Sequence, residues 1–293
     1  MKAPAFSYAR ASSVDEALSL LAQHGDQAKV LSGGQSLMPA LNLRLSAPEW
    51  IVDINALSEL RGVTVAGYVL RIGALTRHAE VQTSPEIATH APLLTDAIHH
   101  VAHPAIRNRG TIGGSLAHAD PASELPACAV ALGATIVVRG QGGERRIAAE
   151  DFFAGIYETQ LAPAELLVAV EVPVGKTGSR PFFHEYARRS GDYAMAGLAA
   201  QAVIDGDAFT DLRLAFFAVG DKPVLAASAR HLVGKPVTAA MLAQAQAALD
   251  GELDPQEDQQ ATASMRRYFA RQLMERCVVT LLERPDLELR KLA

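Results

Sequence analysis

His103-Pro104-Ala105-Ile106-Arg107-Asn108-Arg109-Gly110-Thr111-Ile112-Gly113-Gly114-Ser115-Leu116-Ala117-His118-Ala119-Asp120-Pro121 is the stretch on which the fold turns. It reads as an irregular segment between two helical ones, 93–101 and 122–132. Paired glycines allow a backbone to approach a ligand closely, and consecutive amides can form a nest for anionic oxygens. The hydroxyls of Thr111 and Ser115 add neutral donors. A second pair stands far upstream in Leu31-Ser32-Gly33-Gly34-Gln35-Ser36-Leu37, where a short strand candidate at 29–31 runs straight into it. Two such loops could grip the two ends of one diphosphate, or each could be an ordinary tight turn.

Neither loop fits the common nucleotide fingerprints. No G-x-G-x-x-G joins a strand to a helix. Gly175-Lys176-Thr177 resembles the end of a P-loop, but that motif needs glycine where Val170 stands.

Outward from these loops, Ser13-Val14-Asp15-Glu16 reads as a capping box, with Val14, Ala17, Leu18 and Leu21 at helical spacing behind it. Residues 51–54 read as a strand, and 63–65 with 69–72 as a hairpin. A strand at 134–138 and another at 166–172 complete this half. The turn-rich segment 174–181 marks a boundary, giving domains 1–175 (two subdomains meeting near 56) and 176–293. Strand candidates 182–187, 195–204 and 212–219 follow, then alanine-rich helical segments at 224–232, 238–249 and 261–282. Strands first and helices afterwards suggest a small α+β unit with a three-stranded sheet.

Composition narrows the function. The formal net charge of -5 gives no basic face for nucleic acid. The apolar runs are far shorter than the about 20 residues of a membrane span. The N-terminus shows no signal-peptide pattern, so a cytoplasmic location is expected. Cys128 and Cys277 are the only cysteines, too few for a four-thiolate cluster, and both read as small buried hydrophobes. His99, His100, His103 and His118 lie close in sequence, yet a zinc-protease helix would need glutamate where His100 stands, and Pro104 ends the helix. No metal site is expected. Tyr193, in the polar turn 188–195, either stacks on a planar ring or anchors a solvated loop.

Together these segments resemble the medium, flavin-binding subunits of carbon monoxide dehydrogenase and, more broadly, of the xanthine dehydrogenase (molybdenum hydroxylase) family. Ser32-Gly33-Gly34-Gln35-Ser36-Leu37-Met38-Pro39 is similar to that family's first diphosphate loop, and residues 103–121 to its second, more specific one. The resemblance runs from Phe6-Ser7-Tyr8 to the C-terminal helix. It implies a vanillyl-alcohol-oxidase-like FAD-binding domain of two α/β subdomains and a small C-terminal α+β domain. It further implies that the amides of 30–37 and of Thr111, Ile112, Gly113, Gly114 and Ser115 hold the diphosphate. Glu124 would bind the adenosine side, and Leu167 would pack near the adenine or ribityl chain. Tyr193 would lie near the isoalloxazine with Asp192 beside it, and Val101 and Asp120 complete the implied set. His184 stands where the family often has lysine, and the cysteine-bearing loop of thioester-reducing members is missing.

The family's division of labour implies molybdopterin on a large partner subunit, two 2Fe–2S clusters on a small one, and electrons leaving this FAD for an external acceptor. A flavin carries its own redox chemistry, so no catalytic triad is required here. Two rivals stand beside this reading: a self-contained flavin oxidoreductase acting on a small organic substrate, and a scaffold that has lost FAD.

Overall fold

The computed structural model describes residues 2–175 and 178–288. Gly175-Lys176-Thr177 and the 174–181 boundary therefore lie partly outside the described residues.

Three strands, β1 (Ser7–Arg10), β2 (Ala28–Leu31) and β3 (Trp50–Asp53), form a parallel sheet in the order β1-β3-β2. Parallel neighbours need a crossover, which helix α1 (Val14–His24) supplies between β1 and β2. Its cap differs in one detail from the sequence reading. Ser13 Oγ accepts from the Glu16 amide at 3.1 Å, but the Glu16 carboxylate accepts from the Ser12 amide at 2.8 Å rather than from Ser13. Strand β2 ends directly at the first Gly-Gly loop, and α2 (Leu37–Leu43) follows it.

The next sheet is antiparallel and is built from β4 (Val63–Ala66), β5 (Val69–Gly73), β6 (Thr135–Gly140), β7 (Gly143–Ala148) and β10 (Leu166–Pro173). Its order is β4-β5-β10-β6-β7, and the small hairpin β8 (Phe153–Gly155) and β9 (Glu158–Thr159) precedes β10. Between β5 and β6 run α3 (His78–Thr83), α4 (Pro85–His90), α5 (Pro92–Ile98), α6 (Pro104–Arg107), α7 (Ile112–His118) and α8 (Glu124–Ala131), with α9 (Ala149–Phe152) after β7. Proline opens α4, α5 and α6, where its missing amide costs nothing. The stretch 103–121, read as irregular, thus contains two short helices. Helix α7 is only seven residues long and stops at Ala119 with φ 51°, too brief for its periodicity to show in sequence.

Strands β11 (Ser179–Tyr186), β12 (Ala196–Asp205) and β13 (Ala208–Phe217) form the last sheet, an antiparallel α+β unit with α10 (Ala239–Leu249) and α11 (Ala263–Leu282). These three long strands are the ones expected. A two-residue fourth, β14 (Val224–Leu225), pairs along the edge of β13. The helix expected over 224–232 is therefore this strand followed by a 3-10 turn, Ala227–Leu232. Pro223 is the proline just ahead of β14, and the β13 edge takes the two residues that follow it.

The small side chains of β12 explain why the last sheet joins the rest. Ala196, Leu198, Ala200 and Ala202 face a core shared with α10 and α11, while Ala199 on the other face joins the core of the five-stranded sheet and its helices. Phe217 and Ala215 enter that same core. Cys128 and Cys277 are free and buried, one in each core. No helix among the described residues is long and apolar enough to cross a membrane.

Candidate cofactor site

The two glycine loops meet. Thr111 Oγ1 donates to Ser32 Oγ at 3.3 Å. A Cβ on Gly33 would land on the Arg109 carbonyl and 2.8 Å from Gly110 Cα. A Cβ on Gly114 would lie 2.7 Å from both Ser32 Oγ and Thr111 Oγ1. At Gly33 the backbone of the opposite loop occupies the space of a side chain, and at Gly114 that space is shared by the hydroxyls of Ser32 from the opposite loop and Thr111 from its own. Gly34 adds a conformational demand, with φ 72°.

The first loop is the amide cradle. The Ser32 carbonyl accepts from Asn55 Nδ2 at 2.7 Å, and the Gly33 carbonyl from Gln35 Nε2 at 3.1 Å. No acceptor among the described residues takes the amides of Gly33, Gly34, Gln35 or Ser36. Val30 and Leu31 belong to β2, where they pair with Val52 and Asp53.

The second loop differs from the expectation of another amide nest. The Ile112 amide donates to the Thr76 carbonyl at 3.1 Å and that of Gly113 to Ala74 at 2.9 Å. Gly114 donates to Thr111 Oγ1 at 3.1 Å and Ser115 to the Thr111 carbonyl at 3.0 Å. These four amides are engaged because the Gly-Gly pair sits in the first turn of α7, laid against the chain after β5. A Cβ on Gly113 would sit 2.6 Å from that of Ala74. What this loop offers a ligand is close backbone approach and the hydroxyls of Thr111 and Ser115.

Positive charge surrounds the junction. Arg77 is half-buried, and burial, then repulsion from Arg61 and Arg109, lowers its pKa. His78 is buried behind Gly110, and burial holds it at about 4. Sequence reading missed Asn55, Arg77 and His78, which carry no local motif.

A cleft of about 350 Å³ opens at the far end of α7, lined by Asp120, Tyr157, Tyr193, Ala218, Asp258 and Arg266 among others. Seven residues of helix span about 10 Å, so the cleft lies about that far from the cradle. Tyr157 donates to Asp120 Oδ2 at 3.4 Å; burial, then the Asp120 charge, pushes its pKa up to about 12. Tyr157 carries φ 57°, and sequence gave no sign of its place here. Tyr193 is 62% exposed. Partial burial of its phenol, then Asp120 and Glu124, still raises its pKa. Gly191, with φ 84°, brings this loop onto 102–103: a Cβ there would lie 2.8 Å from the Ala102 carbonyl and from His103 Cε1. Val101, Asp192 and Tyr193 are thereby drawn to one place.

Glu124 also lies on this side. Withdrawal of its carboxyl from solvent, with Glu185 and Asp120 near, raises its pKa to about 8. The resemblance assigned Glu124 to the adenosine and Tyr193 to the isoalloxazine, on opposite sides of a diphosphate. The Glu124 charge adds to the raised pKa of the Tyr193 phenol. Glu185 is buried, one carboxylate oxygen 3.3 Å from His100 Nδ1 and the other unpartnered. His184 turns to the α11 side, its Nε2 2.8 Å from Arg276 Nη1 and its ring edge-on to Tyr186. Leu167 is 4% exposed in the core below α7, at a bulge where β10 pairs with β6.

The four clustered histidines disperse: His99 meets Gln82, His100 meets Glu185, His103 backs Gly191, and His118 lies against Tyr157. No group of metal-ligating side chains forms among the described residues.

An amide cradle, a glycine-packed second loop and an aromatic cleft along one helix fit an extended dinucleotide such as FAD, and define a flavoprotein. Residues 4–175 match the family described as the FAD binding domain in molybdopterin dehydrogenase, and 181–281 the CO dehydrogenase flavoprotein C-terminal domain. The chain belongs to this family of flavoprotein subunits of molybdopterin-dependent oxidoreductases, and its cofactor is FAD. It is 40% identical to the 6-hydroxypseudooxynicotine dehydrogenase complex subunit alpha of Paenarthrobacter nicotinovorans, covering 97% of each chain. It is 37% identical to the caffeine dehydrogenase subunit beta of Pseudomonas sp. (strain CBB1), again over 97% of each. The carbon monoxide dehydrogenase from Hydrogenophaga pseudoflava, solved in a form lacking the Mo-pyranopterin moiety, contains a chain that superposes with a TM-score of 0.92. That chain is 37% identical, with 94% of this chain and 96% of that one covered.

Proposed function

We propose that this chain is the electron-transfer subunit of a heterotrimer, together with a molybdopterin-binding large subunit and a 2Fe–2S small subunit. Bound FAD would supply the redox chemistry that links the partner's clusters to an external acceptor. The observation that carries this reading is the convergence of Gly33 and Gly114 on one cradle, beside two thiols that are both sealed in cores.

The chain's own residues bind and orient. The free amides of Gly33, Gly34, Gln35 and Ser36 take the diphosphate, with Thr111 and Ser115 closing the opposite side. Tyr193, Asp192, Val101 and Asp120 frame the flavin end, and Tyr157 holds its phenolic proton against Asp120. Glu124 keeps its carboxyl protonated at neutral pH beside them. Leu167 supports α7 from beneath, and His184 acts from the α11 side of the last sheet, through Arg276.

Affinity purification of the tagged chain from its native cells tests the reading. The expected result is co-purification of a molybdopterin-containing large subunit and an iron–sulfur small subunit, with one FAD per copy of this chain. Recovery of the chain alone, turning over a small organic substrate without molybdenum or iron, overturns it and favours a self-contained oxidoreductase.

A further inference from the structure

Neither glycine loop is held in place by its own residues alone. We infer that Asn55 and Arg77 form a clamp that sets the spacing of the two loops and aims the first-loop amides at the FAD diphosphate. The inference rests on FAD as the cofactor.

Asn55 follows β3, and both polar atoms of its side chain are hydrogen-bonded. Its Nδ2 donates to the Ser32 carbonyl at 2.7 Å and to Asp53 Oδ1 at 2.7 Å, with the Leu31 carbonyl at 3.3 Å. Its Oδ1 accepts from Arg77 Nη2 at 2.7 Å. Asp53 is itself fixed, accepting from the Tyr8 hydroxyl at 2.6 Å and from the Asn55 amide at 2.8 Å. The other arm of Arg77, Nη1, donates to the Arg109 carbonyl, the group against which Gly33 packs. A closed circuit results: Ser32 carbonyl, Asn55, Arg77, Arg109 carbonyl, and back to Gly33.

In a trans peptide the carbonyl and the following amide point in opposite directions. With the Ser32 carbonyl turned to Asn55, the Gly33 amide must point away from the clamp. Gln35 does the same for the next peptide by holding the Gly33 carbonyl, which turns out the Gly34 amide. The clamp thus draws the negative ends of these peptides away from the place where a diphosphate would sit. Charge adds to geometry. No carboxylate among the described residues forms an ion pair with the Arg77 guanidinium; Arg61 and Arg109 repel it, partly opposed by the charges of Glu80 and Asp53. An anion held between the loops would add to that opposition.

The test uses the full chain stripped of FAD, with Asn55→Leu, Arg77→Met and the double variant. Dissociation constants come from flavin fluorescence titration, and apo-protein unfolding is followed by circular dichroism. Hydrogen bonds to charged groups are worth about 1.5–3 kcal/mol, so each single variant should weaken FAD binding by about 10- to 100-fold. Because both residues belong to one circuit, the double variant should fall well short of the product of the two. The ³¹P resonances of the bound diphosphate should shift in Arg77→Met, and Arg77→Lys should recover part of the affinity. Unchanged FAD affinity, multiplicative losses, or losses without any ³¹P shift would each overturn the clamp. If Asn55→Leu does not fold, Asn55→Ser takes its place in the cycle. A wild-type chain that takes up no FAD would refute the cofactor assignment itself, a result separate from these.

Discussion

Thr111 Oγ1 reaches Ser32 Oγ at 3.3 Å across 79 residues of chain, and this contact fixes where the two glycine loops face each other. It lies between the Gly33 and Gly114 positions at which a side chain would collide with the other loop. The cradle is therefore a property of both halves together.

Gly33→Val should abolish FAD uptake, a loss of at least about 100-fold in affinity, since its side chain would collide with the Arg109–Gly110 backbone, and Gly114→Val should also weaken uptake by displacing the Ser32 and Thr111 hydroxyls. Gly142→Ala, at a position with open space around it, should bind FAD as wild type does. Absorbance near the flavin bands after gel filtration measures retention in each.

Stability should fall as pH rises from about 6.5 to 8.5; below 6.5 the histidines that burial holds low, His78 and His184, act in the opposite direction. The folded state keeps Glu124 protonated up to about 8, against an ordinary 4.5, so its favourable contribution is complete below 4.5 and is lost as pH climbs toward 8. His100, raised by its hydrogen bond to Glu185, acts in the same direction: its contribution is full below 6.5 and disappears through its higher folded value. Glu124→Gln should flatten the slope and raise stability over wild type at pH 8. Urea denaturation midpoints across this range provide the measurement.

Arg266 is a buried cation that ties the cleft together. Its Nη1 donates to the Met195 carbonyl at 2.8 Å and the Ala218 carbonyl at 3.0 Å, and its Nη2 to Asp258 at 2.8 Å. Arg266→Met leaves both carbonyls without a donor and should cost about 3 kcal/mol. Chemical denaturation should show this as a lowered midpoint with an unchanged slope.

Tyr193→Ala should weaken FAD binding by about three- to ten-fold, the range of one aromatic contact, and shift the visible absorption of the bound flavin. Arg189→Ala, in the same loop, should change neither. Difference spectra recorded during titration separate the two.

Much of this was legible in sequence because it is local. Gly33-Gly34 after a strand, Gly113-Gly114 before an apolar turn, and the helix cap at Ser13 each declare themselves within a few residues. The α+β order of the last unit was equally plain. What stayed hidden depends on contacts far apart in the chain. Asn55 and Arg77 have no signature, since their role appears only once Ser32 and Arg109 are brought to them. The occupied amides of Ile112 and Gly113 depend on Thr76 and Ala74, which nothing in the second loop announces.

The most direct test is a crystal structure of the full chain with FAD bound. The diphosphate oxygens should lie within about 3 Å of the Gly33 and Gly34 amides, with Gly114 against the same phosphates and the flavin ring beside Tyr193. A diphosphate bound elsewhere, with those amides facing water, would contradict the account.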